Sequence, residues 1–548
     1  MRKISLLYLI VILLGSCKDP APKEYFVRPC EFVCDYPFSE VNKWAVTCRV
    51  WGLLKYYHPN ITSGNVDWDK VLLNRLDDIR FITTPEMLNT ELKKMLSAAG
   101  AYTYEKDKNW NDSLNMNRNL DWIDHSFLDE ALRDELKKIA SMKVQNPAYY
   151  SIGRGSSFTG RITFSNEKDQ KTVNNSNLLT LFRYWNIVYY FFPYKYKMTQ
   201  SWDETLTQFI PLFLEATNKS SLDIALLKLV SFIDDGHGYT SGSGPSYKES
   251  VNKIEKIGES TVSRVSHGGM ERGDIILGIE GQEIHEIRDS LSVLTAASTQ
   301  LAKDFYINTD IASMIFFRET DIIVSRGGRI QDLHLVPSAF ERDTTRTAYS
   351  RINNHIGYVD LDVLQSDQVQ SMFEYLSHTK GIIFDLRNYP EGVGCFDIIG
   401  YCIDEQKVPY LRFTTPDTEH PGAFYWSENH LYLPISSGVP KYKGEIIVLV
   451  NEYTQSWAEV NAVMFRTAVN ATLIGRPTAG ANGETCLIPL PDGRHTTFSA
   501  VGAYYPDRSE TQRIGILPDI EVYAGMESIL AGRDEVLDAA IEYLENKN

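Results

Sequence analysis

The sequence predicts a multidomain chain: N-terminal helical repeat units, then a small β-rich domain, then an α/β core with a largely parallel sheet. Three observations predict it. Two segments of helical periodicity match each other at an offset of 134 residues, β-rich runs separated by Gly turns occupy 250–340, and apolar strand-like runs alternate with helical ones from about residue 345. At 548 residues the chain also exceeds the size at which a single core keeps growing.

The N-terminus, MRKISLLYLIVILLGSCKDPAPKEY, has basic Arg2 and Lys3, an apolar stretch from Ile4 to Leu14, and small residues before Cys17. That stretch falls short of the roughly 20 residues that span a bilayer and suits the apolar region of a signal peptide. Leu14-Gly15-Ser16-Cys17 resembles the lipobox of bacterial lipoproteins, in which the cysteine is lipidated. The expectation is a lipoprotein signal peptide over 1–17 and a tether over 18–42. The protein would be exported to the periplasm or the outer-membrane or cell surface and held to the membrane through Cys17. An ordinary secretory signal that contains a cysteine is the alternative. Six further cysteines are too few and too scattered for a disulfide scaffold; Cys30 with Cys34 or Cys48 is one pairing, buried free thiols the other reading. The net charge of −16, without a dense Lys/Arg cluster, argues against a nucleic-acid partner.

The repeat comes next. Arg49, Trp51, Pro59, Trp68 and Asp69 recur as Arg183, Trp185, Pro193, Trp202 and Asp203. Each copy breaks its helical pattern at the same Pro, which predicts a duplicated helical module, over 43–165 and 175–245. The copies diverge at their ends: LKKMLSAAGAYTY closes the first, whereas LLKLVSFIDDGHGYT closes the second and adds Asp234, Asp235 and His237. Within 250–340, GGMERGDIILGIEGQEIHEI resembles a PDZ domain, a module that binds chain ends or extended peptides at a sheet edge. The α/β core is expected over 345–525 and a C-terminal helix over 526–548. Sites on such sheets lie at strand C-terminal ends, where Asp385-Leu386-Arg387 and Ser456 fall.

Ser456, in NEYTQSWAEV, sits where the apolar run GEIIVLV gives way to a helix, so the Trp457 N–H lies at a helix N-terminus and suits a developing oxyanion. The competing reading makes Ser456 or Thr454 an N-cap, with Glu459 completing a capping box. A nucleophilic serine needs a base. No lysine occurs from Gly444 to Asn546, so histidine is favoured, and His237 in the Gly-flanked turn FIDDGHGYT stands out. A polar turn at a helix C-terminus is the plainer explanation of the same residues. Neither a metal nor an organic cofactor is implied, since HExxH, a P-loop and zinc-spaced cysteines are all missing.

In order, a helical segment ending in DGH, a PDZ-like stretch, DLR-x-x-x-x-G, and N-x-x-T-x-S-x-x-E resemble the C-terminal-processing (tail-specific) and tricorn-core serine peptidases. The resemblance covers roughly Asn177 to Val522, and the helical repeat resembles the extension of exported Bacteroidetes members. It implies a crotonase/ClpP-like core and a serine endopeptidase acting on polypeptides, with the PDZ-like domain taking a substrate C-terminus. It also implies Ser456 as nucleophile and the Trp457 amide as an oxyanion donor. The processing branch places a lysine where GRPTAGANG has Ala481, whereas the tricorn branch uses a histidine that matches His237. A glutamate supports that histidine in the family; Gln512, with Glu510 close by, stands there in RSETQRIGILPD. Gly392 is the expected second oxyanion donor, next to Glu391 where a glycine is usual, and Glu459 either joins the site or caps its helix. Those departures motivate an alternative, a non-catalytic peptide- or ligand-binding lipoprotein that keeps the fold. A GxSxG esterase is disfavoured because the chain lacks that elbow.

Overall fold

A computed structural model describes residues 35–107, 117–145, 147–152, 160–162, 164, 167, 176–239, 251–338, 340, 346–426, 430–436 and 440–547. The expected signal peptide, Cys17, Cys30, Cys34 and most of the tether lie outside the described residues.

Helix α1 (Glu40–Tyr57) starts at Ser39, whose hydroxyl accepts the Asn42 N–H at 3.1 Å, and stops before Pro59, which cannot continue the backbone ladder. It is buried on every face from Lys43 to Tyr57, so its cations must find partners. Lys43 donates to the Arg80 and Ile82 carbonyls at 2.8 and 3.0 Å, and Lys55 pairs with Asp69 at 2.9 Å. Helix α2 (Trp68–Leu73) belongs to the same copy, and α3 (Ser176–Phe191), α4 (Trp202–Glu215) and α5 (Lys219–Ser231) form the second.

The two copies are built alike and locked together reciprocally. Trp51 and Trp68 donate their indole N–H groups to each other's carbonyls at 3.2 and 2.9 Å, and Trp185 and Trp202 do the same, both at 3.0 Å. Between copies, buried Arg49 pairs with Asp203 and buried Arg183 with Asp69. The helices cross where Gly52 meets Asn186, its counterpart 134 residues on: a Cβ at Gly52 would lie 1.7 Å from the Asn186 amide oxygen. Each copy thus supplies the counter-ion that the other's buried arginine requires, and separating them would strand charges in an apolar interior. The same apolar cluster runs on into Cys486, Ile488, Leu490 and Phe498 of the C-terminal half, so the helices and the core share one interior.

Residues 254–335 form a small antiparallel sheet in the order β1-β2-β3-β4-β5, made of β1 (Ile254–Ile257), β2 (Ser260–Ser263), β3 (Ile275–Ile279), β4 (Thr320–Arg326) and β5 (Arg329–Leu335). Helix α6 (Gln300–Phe316) packs on it through Ile307, Ile311 and Ile315.

The core sheet has six strands: β6 (Tyr349–Asn353), β7 (Ile356–Asp360), β8 (Gly381–Asp385), β9 (Glu445–Val450), β10 (Thr472–Gly475) and, farther along the chain, Ile520–Glu521 at one edge. All pairings are parallel except β6 with β7. The continuous apolar runs of β8 and β9 are needed because both faces are covered. Ile382, Phe384, Val448 and Val450 pack with Phe465 of helix α7 (Trp457–Val469), whereas Ile383, Ile447 and Leu449 pack with Ala540 and Leu544 of the C-terminal helix Glu535–Asn546. A four-stranded sheet lies beside it and includes β11 (Thr485–Pro489) and β12 (His495–Ser499). Arg387 bonds Asp385 at 2.6 Å and Asp534, the N-cap of the last helix, at 2.7 and 2.8 Å; the DLR arginine therefore braces the strand end. Cys48, Cys395, Cys402 and Cys486 are free thiols, and no helix among the described residues is long and apolar enough to cross a membrane.

Candidate active site

The chain leaves β9 through a tight turn. Asn451 Oδ1 accepts the Tyr453 and Thr454 N–H groups at 3.1 and 3.2 Å, and Thr454 Oγ1 donates to the Leu386 carbonyl at 3.0 Å, tying the turn to the neighbouring strand end. Ser456 follows with φ 55° and ψ −118°, a conformation that costs a non-glycine residue roughly 1–3 kcal/mol. Its side chain makes no cap hydrogen bond to the helix it precedes. The hydroxyl instead donates to the Gly483 carbonyl at 3.2 Å, and the Ser456 N–H donates to the Ala481 carbonyl at 2.9 Å.

Glu459 explains why the 478–483 loop sits there. Completely buried, it accepts the Thr478 hydroxyl and the Gly480 and Ala481 N–H groups, the last two at 2.9 and 3.0 Å. Burial pushes its carboxyl up to about 7 against those hydrogen bonds. Glu459 therefore shapes the loop around Ser456 and forms no capping box with the Ser456 side chain.

His237 ends up in the same place from the other half of the chain. Strand β12 holds it: Thr497 Oγ1 donates to the His237 carbonyl at 2.6 Å, and two residues on, on the same face, Ser499 Oγ lies 2.8 Å from His237 Nδ1. Asp235, with no exposed surface, accepts from Ser499 Oγ at 2.9 Å and from the Ser499 N–H at 2.6 Å. It also accepts the His237 N–H and Gln512 Nε2, both at 3.2 Å. Because the Ser499 hydroxyl gives its proton to Asp235, its oxygen is left to accept from Nδ1–H. That fixes the tautomer: the basic lone pair of the neutral ring is on Nε2, which is buried and has no hydrogen-bond partner. Burial holds the imidazole below its ordinary value, with Asp235 pulling the other way.

The structure thus assigns the orienting contacts differently from the sequence. Gln512 is fully buried one step behind the imidazole, on Asp235 and on Ser298 Oγ at 3.2 Å, and does not touch the ring. A donor amide suits that spot, since a glutamate would place a second negative charge against the buried Asp235. Glu510 faces away, bonded to Lys197 and, at 2.7 Å, to the Tyr196 hydroxyl. Asp235 and Ser499 are the residues that sequence reasoning missed. DDGH offered a signal for Asp235, two residues from the histidine; Ser499 lies 262 residues from its partner and carried none.

Burial pushes the Tyr389 phenol up, and the nearby Ser456 side chain and Trp457 N–H, at the start of α7, pull it the other way. Gly392 lies in the loop after β8, where its carbonyl accepts the Ser366 N–H and hydroxyl at 3.1 and 3.0 Å and a Cβ would meet the Gln365 amide. Among the described residues no hydrogen bond joins Gly392 to Ser456. Its neighbour Gly394 lets the loop close on the Trp457 ring, 2.6 Å from where a Cβ would be. No group of acidic, His and Cys side chains suited to a metal occurs among the described residues.

A conformationally strained serine at a strand-to-helix turn and a buried histidine whose Nε2 has no hydrogen-bond partner thus lie on turns joined by the Gln455 to Gly236 hydrogen bond, on an α/β core. Residues 355–522 match the model of peptidase family S41, a serine-type peptidase domain. Carboxyl-terminal-processing proteases of Synechocystis sp. and Picosynechococcus sp. are each 24% identical to it, over 276 and 275 residues. Those alignments span 49% of this chain and 59% and 60% of the relatives, so it covers about three fifths of their length. Among solved structures, mature CPAF complexed with lactacystin aligns over 68% of this chain and 97% of its own, at 12% identity and a TM-score of 0.52, a likeness of fold.

Proposed function

We propose that the protein is an exported serine endopeptidase that cleaves polypeptides by a Ser456-His237 mechanism. The observation that carries this reading is the Asp235-Ser499-His237 chain, which leaves Nε2 as a bare base in a turn bonded to the turn of Ser456. Substrate would draw the Ser456 hydroxyl from the Gly483 carbonyl towards Nε2. Nε2 takes the proton as Oγ attacks the scissile carbonyl carbon, while Nδ1–H stays on Ser499 and Asp235 steadies the imidazolium. The oxyanion is met by the Trp457 N–H at the positive end of α7, with the Gly392 amide as the second donor. The imidazolium then protonates the leaving amine, and water, activated by Nε2, releases the acyl group from Ser456. The 254–335 unit, in its PDZ-like reading, would present the substrate's C-terminal segment, and a lipid on Cys17 would hold the enzyme to the membrane.

Digestion of an unstructured polypeptide, followed by mass spectrometry, tests the reading. Cleavage should vanish in Ser456→Ala and fall by about 10³-fold or more in His237→Ala. Full cleavage by both variants would remove it. One contact favours the alternative of a peptide-binding protein without turnover: the Ser456 hydroxyl rests on the Gly483 carbonyl. Peptide capture by wild type, with no cleavage under any condition, is the result that would select it.

A further inference from the structure

We propose that Gln455 is a positioning residue whose side-chain amide holds the turn carrying His237 against the turn carrying Ser456, with its amide oxygen anchored by Tyr306. The proposal rests on the reading of those two residues as base and nucleophile. Gln455 immediately precedes Ser456, and its Nε2 donates to the carbonyl of Gly236, immediately before His237, at 2.9 Å. The amide oxygen accepts the hydroxyl of Tyr306, a residue of α6 in the 254–335 unit.

The Gly236 carbonyl settles which way the amide points. It can only accept, so the nitrogen must face Gly236, which leaves the amide oxygen to accept from the Tyr306 hydroxyl. The other side of the same peptide is fixed too, because the Gly236 N–H donates to Ser298 Oγ at 2.8 Å. There is no slack at the contact: a Cβ on Gly236 would lie 2.9 Å from that of Ala481 and 3.2 Å from Gln455 Nε2. Phe305, beside Tyr306, stacks on Tyr453 of the serine turn with centroids 5.0 Å apart. The Ser456 and His237 turns are therefore joined by one side chain that spans both and is anchored at its oxygen by a third segment. Small misplacements of reacting groups are costly to rate, so the amide should matter to turnover more than to folding.

The test compares Gln455→Met, Gln455→Glu and Tyr306→Phe with wild type. The readouts are the rate constant for Ser456 labelling by a fluorophosphonate, the kcat and KM of peptide cleavage, and the thermal midpoint. Gln455→Met keeps length without the bonds and should lower kcat and labelling by about 10-fold with KM little changed; Tyr306→Phe should lower them by roughly 3- to 10-fold. Gln455→Glu is the discriminating variant. As a carboxylate it repels the Gly236 carbonyl and should fall below Gln455→Met, but as a carboxylic acid it restores a donor to Gly236 and an acceptor for Tyr306. Its rate relative to wild type should therefore rise as pH is lowered from 8 towards 5.5. Folded variants that label at wild-type rate, or a Gln455→Glu to wild-type ratio flat across pH, would overturn the positioning role. Wild type that fails to label at Ser456 would instead sink the underlying serine-histidine reading, so the two failures are told apart.

Discussion

Ser499→Ala tests the least obvious part of the site. The hydroxyl it removes bridges His237 Nδ1 at 2.8 Å and Asp235 Oδ1 at 2.9 Å, whereas Nδ1 and Asp235 Oδ1 are 4.0 Å apart, too far for a direct hydrogen bond. The variant leaves a buried Nδ1–H without an acceptor and removes one of the four donors on Asp235. An unmade buried hydrogen bond costs about 1–3 kcal/mol, which at about 1.4 kcal/mol per tenfold is roughly a 5- to 150-fold loss if it falls on the transition state. Asp235→Asn should lose more, because the charge that stabilises the imidazolium goes with it. The assay is the second-order rate constant for fluorophosphonate labelling of Ser456, alongside kcat/KM on a peptide, with the thermal midpoint as a check of folding. Labelling by folded Ser499→Ala within about 2-fold of wild type would refute the reasoning, since the tautomer would then be set by something else.

Further expectations are separable. His237, held below its ordinary value of 6.5, should stay a competent base into mildly acidic solution, so kcat/KM falls only as pH drops through a midpoint below 6.5. The unfolded chain binds the extra proton first, so this group's contribution to stability is also lost as pH falls from 6.5 towards the folded value. A kinetic midpoint above 7 would contradict both. Tyr389→Phe removes the phenolic oxygen that lies near the Trp457 N–H and could compete for it, and should raise the labelling rate by a few-fold; a fall would instead make the hydroxyl a donor to the oxyanion. Arg49→Ala strands Asp203 in the helical interior and should cost about 3–5 kcal/mol in denaturant unfolding, partly recovered in the double variant with Asp203→Ala. Glu510→Gln, whose carboxylate serves Lys197 and Tyr196, should leave labelling within about 2-fold of wild type.

What could be read from the sequence follows from how local each signal is. Unbroken apolar runs such as GIIFD and EIIVLV announce strands buried on both faces, and the turn after EIIVLV points to Ser456, because periodicity and strand ends are local properties. The repeat was legible too, as a list of matching Arg, Trp and Asp positions. Its meaning was not: that Arg49 answers Asp203 and Arg183 answers Asp69 is an exchange between copies, and a linear pattern cannot say which copy a side chain faces. The support of His237 was hidden from the sequence for a similar reason. The motif points to acidic and amide residues near 510, whereas the ring is steadied by a serine on β12 that looks like any strand hydroxyl until Asp235 is placed behind it. Glu459 likewise occupies a capping-box position in sequence, yet its carboxylate is spent on the 478–481 loop.

The most direct test of the central claim is intact-mass and peptide-mapped labelling of the folded protein by a fluorophosphonate, on wild type, Ser456→Ala and His237→Ala. The account predicts one adduct on Ser456 in wild type, none in Ser456→Ala, and labelling slowed by about 10³-fold or more in His237→Ala. An adduct that persists at full rate in His237→Ala, or that maps to a residue other than Ser456, would contradict it.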